Sequence, residues 1–70
     1  MTKREFEKRV KETILSDLCT KVIILTSWKD DVFGHMCIAI GINRISVYKY
    51  RAYVEDDNVV VKYEGRMETI

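Results

Sequence analysis

The chain has 70 residues, of which 47% are hydrophobic and 33% are charged, and its net charge is +1. This length allows one small domain, and the composition is that of a folded chain rather than a disordered one. The balance of charge argues against bulk electrostatic binding to nucleic acid. Two cysteines are too few for a disulfide scaffold, and with one histidine a zinc site would need Asp or Glu ligands as well. We therefore expect no metal and no cofactor.

The first predicted element is an amphipathic helix over residues about 3–18. Its apolar residues recur every fourth position, as they do in a helix that buries one face. This stripe consists of Phe6, Val10, Ile14 and Leu18, with Leu15 widening it. Thr2 and Glu5 have the T-x-x-E spacing of a capping box, in which each residue's side chain satisfies the free backbone N–H of the other.

After Cys19 the apolar pattern changes from a helical period to a period of two, which predicts strands. We expect four strands, over residues about 21–28, 33–42, 46–55 and 58–64. Short connections between consecutive strands favour an antiparallel meander. The predicted fold class is therefore α+β: one domain over residues 1–70, with an N-terminal helix packed on one face of a four-stranded antiparallel β-meander.

Three short loops set the register of this predicted sheet. We expect two-residue turns at Asp30-Asp31 and at Asp56-Asp57, and a three-residue loop over 43–45. The cross-strand pairs that follow are Trp28 with Phe33, Leu25 with Met36, Ile40 with Tyr48, and Val54 with Val59.

These registers predict a sheet with two different faces. One face is apolar and is expected to pack on the helix stripe. It holds Ile23, Leu25, Met36, Ile38, Ile40, Tyr48, Tyr50, Ala52, Val54, Val59, Val61 and Tyr63. The opposite face is expected to be half apolar and half basic. It holds Val22, Ile24, Thr26, Trp28, Phe33, His35, Cys37, Ala39, Lys49, Arg51, Tyr53, Val60 and Lys62.

The second face suggests a function. An antiparallel sheet covered on one side normally has a polar outer face, and an uncovered apolar patch with a charged rim is typical of an interaction surface. We predict a non-enzymatic protein–protein interaction module, a regulator or inhibitor of a larger protein, that binds a protein partner or itself as a homodimer. The predicted contact residues are Trp28, Phe33, His35, Ile24, Tyr53 and Val60.

Nucleic-acid binding is the alternative function for the same face. Lys49, Arg51 and Lys62 are expected beside Tyr53, and sheets that combine cations with an aromatic bind single strands by phosphate pairing and base stacking. The signature of an RNA-recognition sheet is absent, and Lys49 could equally pair with Glu64 across the strands.

Other chemistry has little support in the sequence. His35 and Cys37 are two apart on a predicted strand, about 7 Å along it, which is too far for a thiol with a histidine base. The aspartates of the two turns lack calcium-loop spacing, and no nucleotide-binding or hydrolase motif is present. No apolar stretch reaches the length of a signal peptide or a membrane span, so we expect a cytoplasmic protein that has no membrane partner. No small-molecule substrate is evident from the sequence.

Overall fold

The structure, a computed structural model, describes residues 1–16, 19–32 and 34–69, and places them in one helix and one sheet. The elements are α1 (Lys3–Leu15), β1 (Lys21–Asp30), β2 (Gly34–Ile42), β3 (Ser46–Glu55) and β4 (Asn58–Thr69). The strands are antiparallel in the order β1-β2-β3-β4, and α1 contacts the sheet. The predicted α+β architecture, an N-terminal helix with a four-stranded meander, is confirmed.

Side-chain caps define both ends of α1. The Thr2 hydroxyl oxygen accepts a hydrogen bond from the backbone N–H of Glu5 at 3.1 Å, which is the N-cap half of the predicted capping box. At the other end the Ser16 hydroxyl donates to the carbonyl of Thr13 at 2.8 Å, and the Ser16 backbone N–H donates to the carbonyl of Glu12 at 3.1 Å. The helix therefore ends at Leu15 rather than near residue 18.

Three residues of the predicted stripe are buried beneath α1. Phe6, Val10 and Ile14 have 0%, 0% and 1% of their surface exposed. Leu15 does not widen this stripe, because 45% of its surface is exposed. Leu18 lies outside the described residues.

The hairpin between β3 and β4 has the predicted turn. Asp56 and Asp57 have φ angles of 50° and 63°, the left-handed values that a type I′ two-residue turn requires. Aspartate tolerates this conformation better than most residues with a Cβ. Val54 consequently pairs with Val59, which confirms the predicted register.

The loop between β2 and β3 differs from the prediction by one residue. Ile40 pairs with Lys49 and not with Tyr48, because four residues, 43–46, separate the last paired residues of the two strands. Side chains alternate between the faces of a strand, so a shift of one residue moves all of β2 to the other face relative to β3.

Asn43 stabilises this longer loop. Its side-chain oxygen accepts hydrogen bonds from the backbone N–H groups of Ile45 at 3.1 Å and Ser46 at 2.9 Å. The Asn43 backbone N–H also donates to the carbonyl of Ser46 at 3.1 Å. An asparagine that bonds the backbone two and three residues ahead favours a turn at this point.

The hairpin between β1 and β2 also differs from the prediction. Asp30 pairs with Gly34, and Trp28 pairs with Met36. The predicted two-residue turn at Asp30-Asp31 and the predicted pairing of Trp28 with Phe33 are therefore wrong, and Phe33 itself lies outside the described residues. The pairing of Asp30 with Gly34 leaves three residues in the turn, and the Asp30 carboxylate accepts a hydrogen bond from the Val32 N–H at 2.7 Å.

Strand β1 contains a β-bulge at Leu25. Ile24 pairs with Ala39 and Thr26 pairs with Ile38, so Leu25 is an extra residue and does not pair with Met36 as predicted. The extra residue reverses the alternation along β1. As a result, Thr26 lies on the same face as Ile23 although the two are three residues apart.

The core lies between α1 and one face of the sheet. Its buried members are Phe6, Val10, Ile14, Cys19, Cys37, Ala39, Tyr50 and Ala52. Partly buried residues that pack on them are Val22, Ile24, Tyr48, Val54, Val59 and Val61. The β3 and β4 residues assigned to this face from the sequence are confirmed. The β1 and β2 assignments are wrong, because Ile23, Met36, Ile38 and Ile40 lie on the opposite face.

Gly41 is part of this core for a steric reason. A Cβ atom at this position would lie 2.5 Å from Cys19 Sγ, 2.8 Å from Ile14 Cγ2 and 2.9 Å from Tyr50 Cε2. These distances leave no space for a side chain. The backbone of β2 therefore contacts the α1 side of the core directly at Gly41.

Candidate interaction surface on the helix-free face

The face of the sheet opposite α1 is called the helix-free face here. Its members follow from alternation, since the neighbours of buried Cys37 and Ala39 in β2 point away from the helix. Cross-strand pairing then extends the face to the other strands. It consists of Ile23, Thr26, Trp28, Met36, Ile38, Ile40, Ile42, Val47, Lys49, Arg51, Tyr53, Val60 and Lys62.

The β1 and β2 half of this face is apolar. Ile23 and Trp28 are 41% and 39% exposed, and Met36, Ile38 and Ile40 are half-buried. No helix in the described part of the chain covers these side chains. They form a continuous apolar surface that water contacts in a single chain.

Strand β2 has small residues on its helix side and large apolar residues on the helix-free face. Its helix side carries Cys37, Ala39 and Gly41, which occupy little volume, whereas the long side chains of Met36, Ile38, Ile40 and Ile42 lie on the helix-free face. Small residues let α1 approach the sheet closely. The consequence is that the largest apolar side chains of β2 contribute least to the core of the single chain.

The β3 and β4 half of the face is charged. Glu64 accepts contacts from two cations, with Lys49 Nζ at 3.9 Å and Arg51 Nε at 3.4 Å. The predicted possibility of a Lys49–Glu64 pair is thus confirmed. Lys62 Nζ lies 5.7 Å from the centre of the Tyr53 ring, within the range of a cation–π contact. Because these groups are partly exposed, each pair stabilises the fold by only about 0–1 kcal/mol.

A shallow cleft lies where the two halves meet. Its volume is about 460 Å³, and its lining combines an apolar side chain with groups of both charges. The lining residues are Met36, Arg51, Tyr53, Glu55 and Lys62. An apolar surface bordered by such a cleft can receive a side chain that is apolar along its length and polar at its tip.

The predicted contact residues divide between the two faces. Trp28, Tyr53 and Val60 lie on the helix-free face as predicted. Ile24 and His35 do not, and placing them on that face was wrong. Ile24 packs against the core, and the His35 ring stacks on Phe6 with their centres 5.6 Å apart.

His35 lies on the helix side of the sheet because β2 turns the opposite face toward α1 from the one predicted. His35 Nε2 lies 3.1 Å from the backbone oxygen of Met1, so the ring is held between the N-terminal segment and the helix.

The predicted basic residues and their aromatic neighbour do share one face. These are Lys49, Arg51, Lys62 and Tyr53.

The sequence interpretation missed the isoleucines of β2 as surface residues. The three-residue loop predicted over 43–45 places Ile38 and Ile40 on the core face, beside Tyr48 and Tyr50. The alternating small residues Cys37, Ala39 and Gly41 were the available signal, since a row of small side chains is where another element can approach a strand closely.

Cys37 is fully buried on the helix side of β2. Burial, and secondarily the negative charge of Glu7, raises the pKa of the Cys37 thiol from its ordinary value of 9.0 to about 11. The side chain is therefore a protonated thiol at neutral pH and lacks the thiolate character of a nucleophilic cysteine.

The raised pKa of Cys37 predicts a loss of stability in alkali. Between pH 9 and about 11 the unfolded state ionises this thiol and the folded state does not, so the free energy of unfolding falls as pH rises. At about 1.4 kcal/mol per pKa unit, the fall attributable to Cys37 approaches about 2–3 kcal/mol by pH 11. Urea unfolding of the wild type and of Cys37→Ala at pH 8 and pH 10.5 measures it. Equal losses in the two proteins would contradict the prediction.

Within residues 1–16, 19–32 and 34–69, no three His, Cys, Asp or Glu side chains are grouped so that they could hold a metal ion. A membrane-spanning helix needs about 20 apolar residues, and no helix in the described part of the chain is long and apolar enough. Comparisons with protein-family models, curated proteins and solved structures found no significant match to this chain.

Proposed function

We propose that this chain is a non-enzymatic protein–protein interaction module that acts through its helix-free face, as a regulator or inhibitor of a larger protein. The observation that carries the proposal is the apolar half of that face, where no element among the described residues covers Met36, Ile38 and Ile40. Complete burial of a large apolar side chain stabilises an assembly by about 1.5–3 kcal/mol. These side chains are already half-buried, so each one contributes a part of that amount.

The arrangement of the face supports a polypeptide partner. Protein interfaces combine an apolar centre with a polar rim, and tryptophan and tyrosine are enriched among the residues that dominate binding. Trp28 and Tyr53 both lie on this face, with the isoleucines of β2 between β1 and the charged strands. The paired charges of Lys49, Arg51 and Glu64 form one side of the rim.

Nucleic-acid binding by the same face is the second candidate. Lys49, Arg51, Lys62 and Tyr53 lie together there, which favours it. Against it, Glu64 lies within 3.9 Å of Lys49 and 3.4 Å of Arg51, so a phosphate would have to compete with this carboxylate for both cations. A protein surface is therefore the better partner.

A cytoplasmic location is part of the proposal. Cys19 and Cys37 are both buried as free thiols. Free thiols are usual in a reducing compartment, whereas small secreted domains are usually held together by disulfides.

Two matched variants test the proposed function. Ile40→Lys places a charge in the apolar half, whereas Ile45→Lys makes the same change in the β2–β3 loop, where Ile45 is 62% exposed. We expect affinity capture and chemical cross-linking to recover a polypeptide partner, either another protein or the chain itself, with wild type and Ile45→Lys. Recovery should fall at least tenfold with Ile40→Lys, because a lysine cannot be buried there without a partner charge.

Salt separates the two candidate functions. Binding to an apolar protein surface should persist at high salt, whereas binding to nucleic acid should weaken steeply as counterions are released. Oligonucleotide binding that is lost at high salt and in a variant with Lys49→Ala and Arg51→Ala would overturn the proposal in favour of the nucleic-acid candidate. Partner recovery that is equal for Ile40→Lys and Ile45→Lys would also overturn it.

A further inference from the structure

We infer that the partner of the helix-free face is a second copy of this chain, so that two sheets pack face to face in a symmetric homodimer. This inference rests on the proposed function. Its first support is the small size of the core. The largest fully buried side chains among the described residues are Phe6, Ile14, Val10, Cys37 and Ser46, and only the first three are large and apolar.

A small core makes burial of the second face important for folding. Chains of about this size bury only about 60% of the surface exposed in the unfolded state, and many depend on disulfides, metals or oligomerisation. Both cysteines are free thiols, so the described residues have no disulfide. A second copy of the chain can cover Ile38 and Ile40 wherever the protein is concentrated enough to associate.

The edges of the sheet are poorly suited to pairing with another chain. Edge strand β1 is interrupted by the bulge at Leu25. Edge strand β4 has two irregularities, which leave Glu64 and Met67 as extra residues opposite β3. Bulges on edge strands hinder the addition of a further strand. The face of the sheet is therefore the better surface for self-association.

The size of the face indicates a weak, reversible dimer. Four strands about 4.8 Å apart, with about ten residues at about 3.3 Å each, give a face of about 600 Å². A full overlap of two such faces covers about 1,200 Å² in total, which is the lower limit for specific and stable protein interfaces, and overlap of the apolar halves alone covers about half of that. We therefore expect a dimer that forms at micromolar concentrations and dissociates on dilution.

The charges determine which halves meet. Placing the apolar half of one copy on the charged half of the other would bury Lys49, Arg51 and Lys62 against isoleucines, at a high cost in desolvation. In a two-fold symmetric pair the same surface of both copies can meet itself. The apolar halves therefore face each other, and the β3 and β4 cations lie at the rim.

Trp28 reports on this dimer without any change to the protein, because it is the only tryptophan in the chain. Its side chain is 39% exposed in the single chain and lies on the helix-free face. We expect its fluorescence emission to move to longer wavelength on dilution from about 100 µM to below 1 µM, as dissociation exposes the ring to water. Sedimentation velocity over the same range should show a species of twice 8.3 kDa at the higher concentrations.

The same variants locate the dimer interface. Ile45→Lys should sediment like the wild type, and Ile40→Lys should be monomeric at every concentration at which it is folded. Ile40→Thr is a milder change that tests the same position if Ile40→Lys does not fold. It should weaken the dimer at least fivefold. Circular dichroism at each concentration establishes which samples are folded.

Two results would overturn the inference. One is a wild-type chain that is folded and monomeric at 100 µM, and the other is a dimer that Ile40→Lys and Ile40→Thr leave intact. If the monomeric chain still captures another protein in an Ile40-dependent way, only the second-copy inference fails and the proposed function stands. If Ile40 affects neither self-association nor capture, both fail.

Discussion

Gly41→Ala is expected to destabilise the chain by about 2–3 kcal/mol, in the upper part of the range for overpacked cores. The added methyl group would meet the Cys19 sulfur at 2.5 Å, Ile14 at 2.8 Å and Tyr50 at 2.9 Å. These neighbours are buried, so none of them can move into solvent without opening the core. Urea unfolding at a fixed protein concentration, followed by circular dichroism, measures the loss.

A double-mutant cycle isolates the steric cause of this loss. Cys19→Ala removes the sulfur atom closest to the new methyl group. The double variant should therefore be more stable than the sum of the two single effects by about 1 kcal/mol, within the usual range for residues in contact. Strict additivity would show that the cost of Gly41→Ala arises elsewhere, for example from the strand backbone.

Phe6→Ala is expected to cost about 3–5 kcal/mol, the usual range for removing a fully buried phenylalanine. Phe6 has no exposed surface and its ring stacks on His35. A chain of this length has a total stability of about 4–10 kcal/mol, so the variant should be partly or wholly unfolded at room temperature. Thermal and urea unfolding measure the effect.

Leu15→Ala is the matched control on the same helix. Leu15 follows directly after the buried residue Ile14, but 45% of its surface is exposed. Its replacement should cost less than about 1 kcal/mol, because little apolar surface leaves the core and alanine favours the helix. A loss as large as that of Phe6→Ala would mean that α1 presents a different face to the sheet.

The sequence determines the helix and the last hairpin most directly. The stripe of Phe6, Val10 and Ile14 and the cap at Thr2 are local patterns, and local patterns survive in the fold. The turn at Asp56-Asp57 is also local, and its two-residue length fixed the correct pairing of β3 with β4. These elements needed no information about distant contacts.

The register between β2 and β3 is harder to predict from the sequence, because a difference of one residue in the loop length changes it. The side chain of Asn43 bonds two backbone N–H groups and makes the loop four residues long between paired positions. Asparagine is common in turns of several lengths, so its presence alone does not predict the number of residues in the loop. One residue of error was enough to move Ile38 and Ile40 from the core to the surface.

Trp28 was placed on the correct face for an incorrect reason. Because the β2–β3 loop is one residue longer than predicted, β2 and the first part of β1 turn the opposite face toward α1 from the one predicted. The bulge at Leu25 then reversed the alternation for the rest of β1. Trp28 and Thr26 therefore lie on the helix-free face as predicted, whereas Ile24 lies on the core face. Bulges depend on the balance of neighbouring contacts across strands, which a single sequence does not display.

The irregular edge strands have a consequence for the size of any assembly. Sheets that join edge to edge leave a new edge free at each end, so such growth is open and leads to fibres. A pair joined through the helix-free faces instead uses the same surface on both chains and leaves none of it for a third. With Leu25 interrupting one edge and Glu64 and Met67 the other, the self-association that we propose would close at two copies.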